Sequence, residues 1–217
     1  MTNCIIWDWN GTLIDDVGAA VNALNRMLAD RGVAATTREY YRAHFGFPVR
    51  PFYAQLGVDL EHEDWDRICE DFHRYISEEP DQHPRADAAA VLSRATAAGF
   101  RQCILSALRQ DLLRRDIAKA GLSSHFEEIY GVDNLDGATK VSRGLELVAR
   151  LREKSAPDRL FFVGDTLHDA EVAAELGAEC VLVDCGHQSP ERLAAAGRPV
   201  THSLSEAVDF IISESEA

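Results

Sequence analysis

The sequence has no surplus of positive charge and no long apolar run. Its 217 residues carry a formal net charge of −14, and it lacks the clusters of lysine and arginine that hold a phosphate backbone, which argues against sequence-independent nucleic-acid binding. No apolar stretch approaches the roughly 20 residues needed to cross a bilayer, and the first residues lack a basic leader with a cleavage site. The composition therefore predicts a soluble, cytoplasmic protein that binds neither nucleic acid nor membranes.

The five cysteines follow no pairing pattern. No CxxC pair occurs, and no cysteine stands at metal-ligand spacing from a histidine. We therefore expect reduced and mostly buried thiols, as in a reducing compartment.

Short apolar runs alternate with helical patterns along most of the chain. Each run is the length of a strand that is buried on both faces, and several helical patterns end at a glycine. Strands that alternate with helices are typical of a doubly wound α/β fold with a mainly parallel sheet. The expected strands are Cys4–Trp7, Cys103–Leu105, Leu160–Val163 and Cys180–Val183, and the expected helices are Ala86–Ala98, Gln110–Ala120, Val141–Lys154 and Asp169–Leu176.

One long segment interrupts this alternation. Between Val17 and about Pro84 the residues form several helical patterns and no convincing strand. The simplest interpretation is a helical insert, residues 16–84, in a core made of residues 1–15 and 85–217. The prolines at 80 and 84 predict the connection back to the sheet.

Reactive side chains lie at the ends of the predicted strands or at the start of a helix. Asp8 follows the first strand, Ser106 follows the second, Lys140 begins a helix, and Asp165 and Asp169 follow the third strand. Ligands of open α/β sheets bind at the carboxyl ends of the strands, so these residues are candidates for one site.

Several of these residues also have an ordinary structural explanation. Asn10–Gly11 is typical of a hairpin turn, although the TLIDD that follows runs into a helical pattern. Ser106 could cap a helix, and Asp169 could stabilise a helix N-terminus, which leaves Asp165 unexplained.

Taken together, the residues fit phosphoryl transfer. A carboxylate such as Asp8 can attack phosphorus if a divalent cation reduces the repulsion between two anions, and Asp165 supplies a second carboxylate for that cation. Oxygen-only ligands favour Mg²⁺ over Zn²⁺. Lys140, one of only three lysines, could balance the charge of the phosphoryl group, and Ser106 with backbone N–H groups could bind its oxygens.

The order of these motifs resembles the haloacid dehalogenase superfamily, and in particular its phosphoglycolate-phosphatase-like members with a helical cap after the first strand. The motifs are DWNGTLIDD, the serine in ILSAL, Lys140 and VGDTLHD, and they extend from Asp8 to Asp169. The fragments FGFP and GHQSPERL are also similar to sequences of that group. The resemblance implies that the insert is a cap over the site.

The resemblance also implies a role for each matching residue. Asp8 would be the nucleophile, and Mg²⁺ would be held by the carboxylates of Asp8 and Asp165 and by the backbone carbonyl of Asn10. Asp169 would orient metal-bound water or Lys140. The residues implied are Asp8 and Asn10 for catalysis, Ser106, Ala107 and Lys140 for phosphate, and Asp8, Asn10, Asp165 and Asp169 for the metal.

Asn10 departs from the pattern of the phosphatases in this superfamily. They carry an aspartate there, which protonates the leaving oxygen and then activates water. An amide can donate a hydrogen bond but exchanges no proton near neutral pH. Acid–base catalysis contributes roughly 10²- to 10⁴-fold, so we expect either slow turnover or a substrate that needs little help.

Other members of the superfamily that lack this acid fit less well. Phosphonate-cleaving members need a cap lysine, and residues 17–84 contain none. Dehalogenases use no metal, whereas this chain retains GDTLHD. His44 is a candidate substitute acid, and Arg50 could bind a substrate carboxylate, although both could be ordinary surface residues.

The expected function is Mg²⁺-dependent hydrolysis of a small phosphorylated metabolite by a monomer or homodimer. The alternative is a catalytically weakened module that binds phosphorylated ligands, for which Asn10 is the support.

Overall fold

The computed structural model describes residues 2–133 and 140–216. Eight strands occur in the described part of the chain: β1 (Cys4–Trp7), β2 (Ile14–Asp15), β3 (His83–Pro84), β4 (Arg101–Arg109), β5 (Glu128–Val132), β6 (Leu160–Gly164), β7 (Glu179–Val183) and β8 (Val200–Thr201). The helices described there are α1 (Val17–Asp30), α2 (Arg38–His44), α3 (Arg50–Leu56), α4 (Trp65–Glu78), α5 (Ala88–Ala97), α6 (Gln110–Lys119), α7 (Lys140–Ser155), α8 (Leu167–Leu176), α9 (Pro190–Leu193) and α10 (Leu204–Glu216). None of these helices is long and apolar enough to span a membrane.

Six strands form one parallel sheet in the order β5-β4-β1-β6-β7-β8. β1 lies inside this sheet, and its last residue, Trp7, is in register with Ile104 of β4 and Val163 of β6. From β1 the chain adds β4 and β5 on one side of the sheet and then β6, β7 and β8 on the other side. This arrangement confirms the predicted doubly wound α/β fold and brings the carboxyl ends of β1, β4 and β6 to one edge.

Alternate residues of each strand supply the two hydrophobic clusters that cover the sheet. Ile5 and Trp7 of β1 belong to the cluster formed with α5 and α10, whereas Cys4 and Ile6 belong to the cluster formed with α7 and α8. Trp9, in the loop after β1, joins Trp7 in the first cluster. The two tryptophans therefore pack in the core on either side of Asp8, as expected from the alternation of side chains along a strand.

Four strands were not predicted from the sequence. No strand was expected at β5, because Glu128 and Gly131 interrupt its apolar pattern, nor at the two-residue strand β8. β2 and β3 also form where no strand was expected, since two residues are too few to show alternation. β3 pairs antiparallel with β2, and this ladder joins the chain leaving the sheet to the chain returning to it.

Helices α1 to α4 have a hydrophobic cluster of their own. Leu24 and Met27 of α1, Phe52 of α3 and Ile68 of α4 are fully or nearly fully buried in it. These helices occupy the segment that was predicted as a helical insert, and the exact division into a core and a cap, residues 16–84, stays a prediction. All five cysteines are free thiols, and four of them are buried.

Candidate functional site

Asp8 and Asp169 meet around the ammonium group of Lys140. Asp8 is the first residue after β1, and its backbone N–H donates to the carbonyl of Val163 at 2.8 Å, which continues the β1–β6 pairing. Lys140 begins α7, and its Nζ donates to Asp8 Oδ1 at 2.5 Å and to Asp169 Oδ1 at 2.6 Å. All three side chains are buried, so the ion pairs are shielded from water.

Asp165 completes a cluster of three carboxylates. Oxygen atoms of Asp8, Asp165 and Asp169 all lie within 4.8 Å of one another. Asp165 follows β6 directly, and it is held by the Thr12 hydroxyl, which donates to Oδ1 at 2.8 Å, and by the His187 backbone N–H, which donates to Oδ2 at 2.7 Å. The acidic residues singled out from the sequence thus share one site.

Glycine is required beside Asp165. Gly11 has a φ of +76° and, like Gly186, lies so close that an added Cβ would overlap the Asp165 carboxylate. These two glycines let the loops after β1 and β7 approach the same carboxylate.

The charge of the cluster is not balanced. Burial raises the pKa of Asp8, and Asp169 and Asp165 raise it further, to about 8, although Lys140 lowers it. Burial likewise raises the pKa of Asp165 to about 6, with a contribution from Asp169. Burial lowers the pKa of Lys140, but the two carboxylates outweigh it and hold the pKa above its usual value. One lysine among three buried carboxylates leaves an excess of negative charge that a divalent cation would neutralise.

Asp169 has two functions in the structure. Its Oδ2 accepts hydrogen bonds from the backbone N–H groups of Asp165 at 3.1 Å and Thr166 at 2.9 Å, and Thr166 caps α8 in return. Burial raises the pKa of Asp169, but Lys140 outweighs it, so the pKa is lowered. The helix-cap explanation for Asp169 is therefore right, and it coexists with the contact to Lys140.

The side chain of Asn10 donates to a buried carboxylate. Asn10 Nδ2 lies 2.7 Å from Asp16 Oδ2, and the Gly11 N–H donates to Asp16 Oδ1 at 2.8 Å. His187 Nε2 lies 3.2 Å from the same Oδ1, and its Nδ1 lies 3.0 Å from the Tyr41 hydroxyl. The amide thus belongs to a hydrogen-bonded chain that runs from the β1 loop to α2.

Ser106 and Ala107 line the same cavity as Asp8 and Lys140. They lie inside β4, where the pairing with β5 is irregular between Leu105 and Arg109, and not after the strand as expected. The Ser106 hydroxyl accepts a hydrogen bond from the Leu108 N–H at 3.1 Å. Phosphate binding by Ser106 and Ala107 stays a prediction.

Residues 5–183 match the family of haloacid dehalogenase-like hydrolases. This match covers most of the 217-residue chain. The chain belongs to that family. The resemblance inferred from the motifs is confirmed, and it includes the phosphoglycolate-phosphatase-like group.

Curated relatives of this hydrolase carry two kinds of name. A phosphoglycolate phosphatase from Aquifex aeolicus is 24% identical over 189 residues, which are 84% of this chain and 85% of the relative. The tyrosine-protein kinase PtkA from Mycobacterium tuberculosis is 25% identical over 193 residues, which are 84% of this chain but only 62% of that kinase.

A solved structure has the same fold as this hydrolase. The crystal structure of a predicted phosphatase from Clostridium acetobutylicum aligns with a TM-score of 0.79 at 18% identity, covering 97% of this chain and 98% of the other.

Three residues near the carboxylates of this hydrolase were not identified as site residues from the sequence: Asp16, Tyr41 and His187. His187 lies in the loop after β7, in the GHQSPERL fragment, so inspection of every strand end would have found it. Tyr41 comes from α2, and only its contact with His187 in the folded chain reveals it.

Two residues of the segment 16–84 that had expected roles, His44 and Arg50, lie elsewhere in the hydrolase. His44 is exposed, stacks on the Tyr40 ring at 4.0 Å, and does not line the cavity. The guanidinium of Arg50 lies over the Trp65 ring at 5.4 Å, and Arg50 does not line the cavity either. The FGFP segment does face the site, since Phe45 and Phe47 line the cavity.

Proposed function

We propose that this protein is a Mg²⁺-dependent phosphatase that hydrolyses a phosphomonoester through a phosphorylated Asp8. The observation that supports it most is the position of Asp8, buried at the base of a cavity, bonded to Lys140 and adjacent to two further carboxylates. The names of the relatives, phosphatases and a protein kinase, are those of phosphoryl-transfer proteins.

The carboxylates fit a bound magnesium ion. Their oxygens converge within 4.8 Å, oxygen is the ligand that Mg²⁺ prefers, and the excess negative charge favours a divalent cation. Asp8, Asp165 and the backbone of Asn10 would hold the ion, with Asp169 beside it. When bound, Mg²⁺ would neutralise charge on the phosphate and on the attacking carboxylate.

The protein side chains would perform two displacements. Asp8 would attack phosphorus while the bond to the ester oxygen breaks, and water would then cleave the acyl phosphate. Lys140, which bonds to Asp8 and Asp169, would favour the ionised form of Asp8 together with the cation and would balance charge on the phosphoryl group, while Ser106 and Ala107 would bind its other oxygens. The cap, residues 16–84, would exclude water while the ester is bound.

Asn10 would make this hydrolysis slow for ordinary alkyl esters. Its amide donates to Asp16 and supplies no proton to the leaving oxygen. Loss of acid–base catalysis costs roughly 10²- to 10⁴-fold. The physiological substrate in this proposal is a small phosphorylated metabolite in the cytoplasm, and the protein acts as a monomer or homodimer.

The same contact supports the alternative, a module that binds phosphorylated ligands with little turnover. The Asn10 amide, hydrogen-bonded to Asp16, exchanges no proton, whereas Lys140 beside it could still bind a phosphate group. The two proposals differ in whether Asp8 reacts.

Phosphate release from a panel of small phosphate esters tests the proposed function. We expect release by the wild type with Mg²⁺, and none above background without Mg²⁺ or in Asp8→Asn. Asp81→Asn is the matched control, because Asp81 is exposed and does not line the cavity. Equal, metal-independent release by the wild type and Asp8→Asn would favour the binding module.

A further inference from the structure

The cavity above Asp8 is much larger than a phosphate group. It has a volume of about 730 Å³, within the range of roughly 300 to 1,000 Å³ that suits drug-sized ligands. The Asp8 and Lys140 side chains line it, and its wall extends between the cap helices and α6. A compact ester such as phosphoglycolate would fill only a small part of it.

The wall away from the carboxylates is largely apolar and partly aromatic. Phe45 packs its ring on Tyr41 at 4.7 Å and against Phe47 at 5.5 Å. On the opposite elements, α4 and α6 contribute Phe72, Ile76 and Leu112. Such a wall binds a ring by apolar contact and by aromatic packing.

The cavity offers little to a second anionic group. Three arginines line it, and each pairs with a carboxylate: Arg74 with Asp71, Arg109 with Asp111 and Arg115 with Asp116. Arg109 is half-buried, whereas Arg74, Arg115 and Lys119, which also lines the cavity, are exposed to water. Among the described residues that line the cavity, Lys140 is the only buried lysine or arginine. The sequence of residues 134–139 contains no lysine, arginine or histidine.

Asp16 and His187, the titratable residues that continue the hydrogen-bonded chain from the Asn10 amide, already have hydrogen-bond partners. Asp16 accepts from the Asn10 amide and from the Gly11 N–H, and both ring nitrogens of His187 have partners, Asp16 and the Tyr41 hydroxyl. A leaving oxygen near Asn10 would therefore depart without a proton from these groups. A phenol, with a pKa of about 10 as in tyrosine, departs as an anion more readily than an aliphatic alcohol, whose pKa is near the value of about 15.7 for water.

From the cavity and the engaged side chains together, we infer that the substrates are aryl phosphate monoesters, in which an uncharged aromatic ring carries the phosphate on its own oxygen. This inference rests on the proposed phosphatase function. Asp8 forms a bond to phosphorus, the bond from phosphorus to the aryl oxygen breaks, and its electron pair leaves on the phenolate, which takes a proton from water. Water then cleaves the acyl phosphate to regenerate Asp8 and release inorganic phosphate.

A set of three esters tests the inference. We expect kcat/KM with Mg²⁺ to be at least about a hundredfold higher for phenyl phosphate than for benzyl phosphate, which carries the same ring on an aliphatic oxygen. Phosphoglycolate should also be a poorer substrate than phenyl phosphate. Equal rates for phenyl and benzyl phosphate, or a preference for phosphoglycolate, would overturn the substrate class and leave the phosphatase function standing. Release from none of the three would overturn the phosphatase function itself.

A cavity variant tests the ring site separately. We expect Phe72→Ala to raise KM for naphthyl phosphate about tenfold, because it removes an apolar wall of the cavity. Phe126→Ala is the matched control, since Phe126 is half-buried in the core and does not line the cavity. An unchanged KM in folded Phe72→Ala, or the same rise in Phe126→Ala, would contradict binding of the ring in this cavity.

Discussion

Asn10 and Asp16 form a complementary pair of an amide donor and a buried carboxylate acceptor. Asn10 Nδ2 lies 2.7 Å from Asp16 Oδ2. A carboxylate in place of the amide would repel Asp16 at this distance unless one of the two carboxyl groups were protonated. An aspartate at position 10 would therefore first interact with Asp16 and only then with a substrate.

Exchanging the two side chains tests this pairing. We expect Asn10→Asp alone to lose about 2 to 4 kcal/mol of unfolding free energy near neutral pH, because two buried carboxylates repel each other. The double variant Asn10→Asp/Asp16→Asn restores an amide–carboxylate pair but lacks the carboxylate partner of His187. It should therefore lose less stability than the sum of the losses in the two single variants. Urea unfolding of both single variants and the double variant measures the coupling, and wild-type stability in Asn10→Asp would contradict it.

The exchanged variant should also gain acid–base catalysis. The aspartate at position 10, no longer opposed by a second carboxylate at position 16, should raise kcat/KM for benzyl phosphate at least tenfold over the wild type, with a smaller gain for phenyl phosphate. Mass spectrometry of the peptide around Asn10–Gly11 is the necessary control, since deamidation of such pairs would produce the same aspartate in wild-type protein. No gain in a folded double variant would contradict the role assigned to this position.

The ion pair of His187 and Asp16 makes stability depend on pH. Burial lowers the pKa of His187, but Asp16 outweighs it and raises the pKa from 6.5 to about 9. Burial raises the pKa of Asp16, but His187 outweighs it, so that pKa is lowered. The His187 contribution is therefore fully present below about pH 6.5 and is lost as the pH rises through 9.

We expect metal-free wild type to exceed His187→Asn in unfolding free energy by up to about 3 kcal/mol at pH 6. This difference should shrink between pH 6.5 and pH 9, as measured by urea unfolding in the presence of a chelator. His44→Asn, at an exposed position, should show no such trend. A difference that grows with pH would mean that His187 is neutral in the folded protein.

At the scale of elements, the side chains of one arginine and one glutamine form hydrogen bonds between α2 and the loop after β7. Arg42 of α2 donates to the carbonyl groups of Asp184 at 2.5 Å, Gly186 at 2.9 Å and Gln188 at 3.0 Å. Gln188 donates back to the carbonyl of Phe45 at 2.8 Å and accepts from the N–H of Leu167 in α8 at 2.8 Å. Helix α2 is thus bonded to the loop whose His187 N–H also donates to Asp165.

Removal of Arg42 should loosen this attachment. We expect Arg42→Ala to lose about 1 to 3 kcal/mol of stability because three carbonyls lose a charged donor, and to expose α2 to faster amide hydrogen exchange. Arg38→Ala in the same helix is the control, since Arg38 is exposed. Equal rates of amide hydrogen exchange in α2 of both variants would show that these hydrogen bonds do not stabilise the position of α2.

Some strands could be predicted from the sequence, and others could not. β1, β6 and β7 are continuous apolar runs, so they and the carboxylates that follow β1 and β6 were predictable. β5 was not, because it is a partly exposed edge strand with a mixed pattern. The Asp16–His187 pair was also not predictable, since it joins the residue between β2 and α1 to the loop after β7 by a contact that no local sequence pattern encodes.

The whole molecule combines a net charge of −14 with a buried acidic cluster. A cation that binds only the folded state stabilises it, by about 2.7 kcal/mol at a hundredfold excess over its Kd. For a chain of this size we expect Mg²⁺ to raise Tm by about 5 to 10 °C.

Asp165→Asn should abolish that rise in Tm, whereas Asp81→Asn should retain it. Thermal unfolding with a chelator and with Mg²⁺ measures the shift without any substrate. An equal shift in all three proteins would place the cation away from the carboxylate cluster.

The central claim is that Asp8 becomes phosphorylated during turnover. Because Asn10 is unable to activate water, hydrolysis of the phosphorylated Asp8 should be slow and the intermediate should accumulate. The direct measurement is mass spectrometry of the Asp8 peptide after acid quenching of protein that is turning over phenyl phosphate. We expect one phosphoryl group on Asp8 that requires Mg²⁺ and disappears when the ester is exhausted. Continued phosphate release by Asp8→Asn, or a phosphoryl group on another residue, would contradict it.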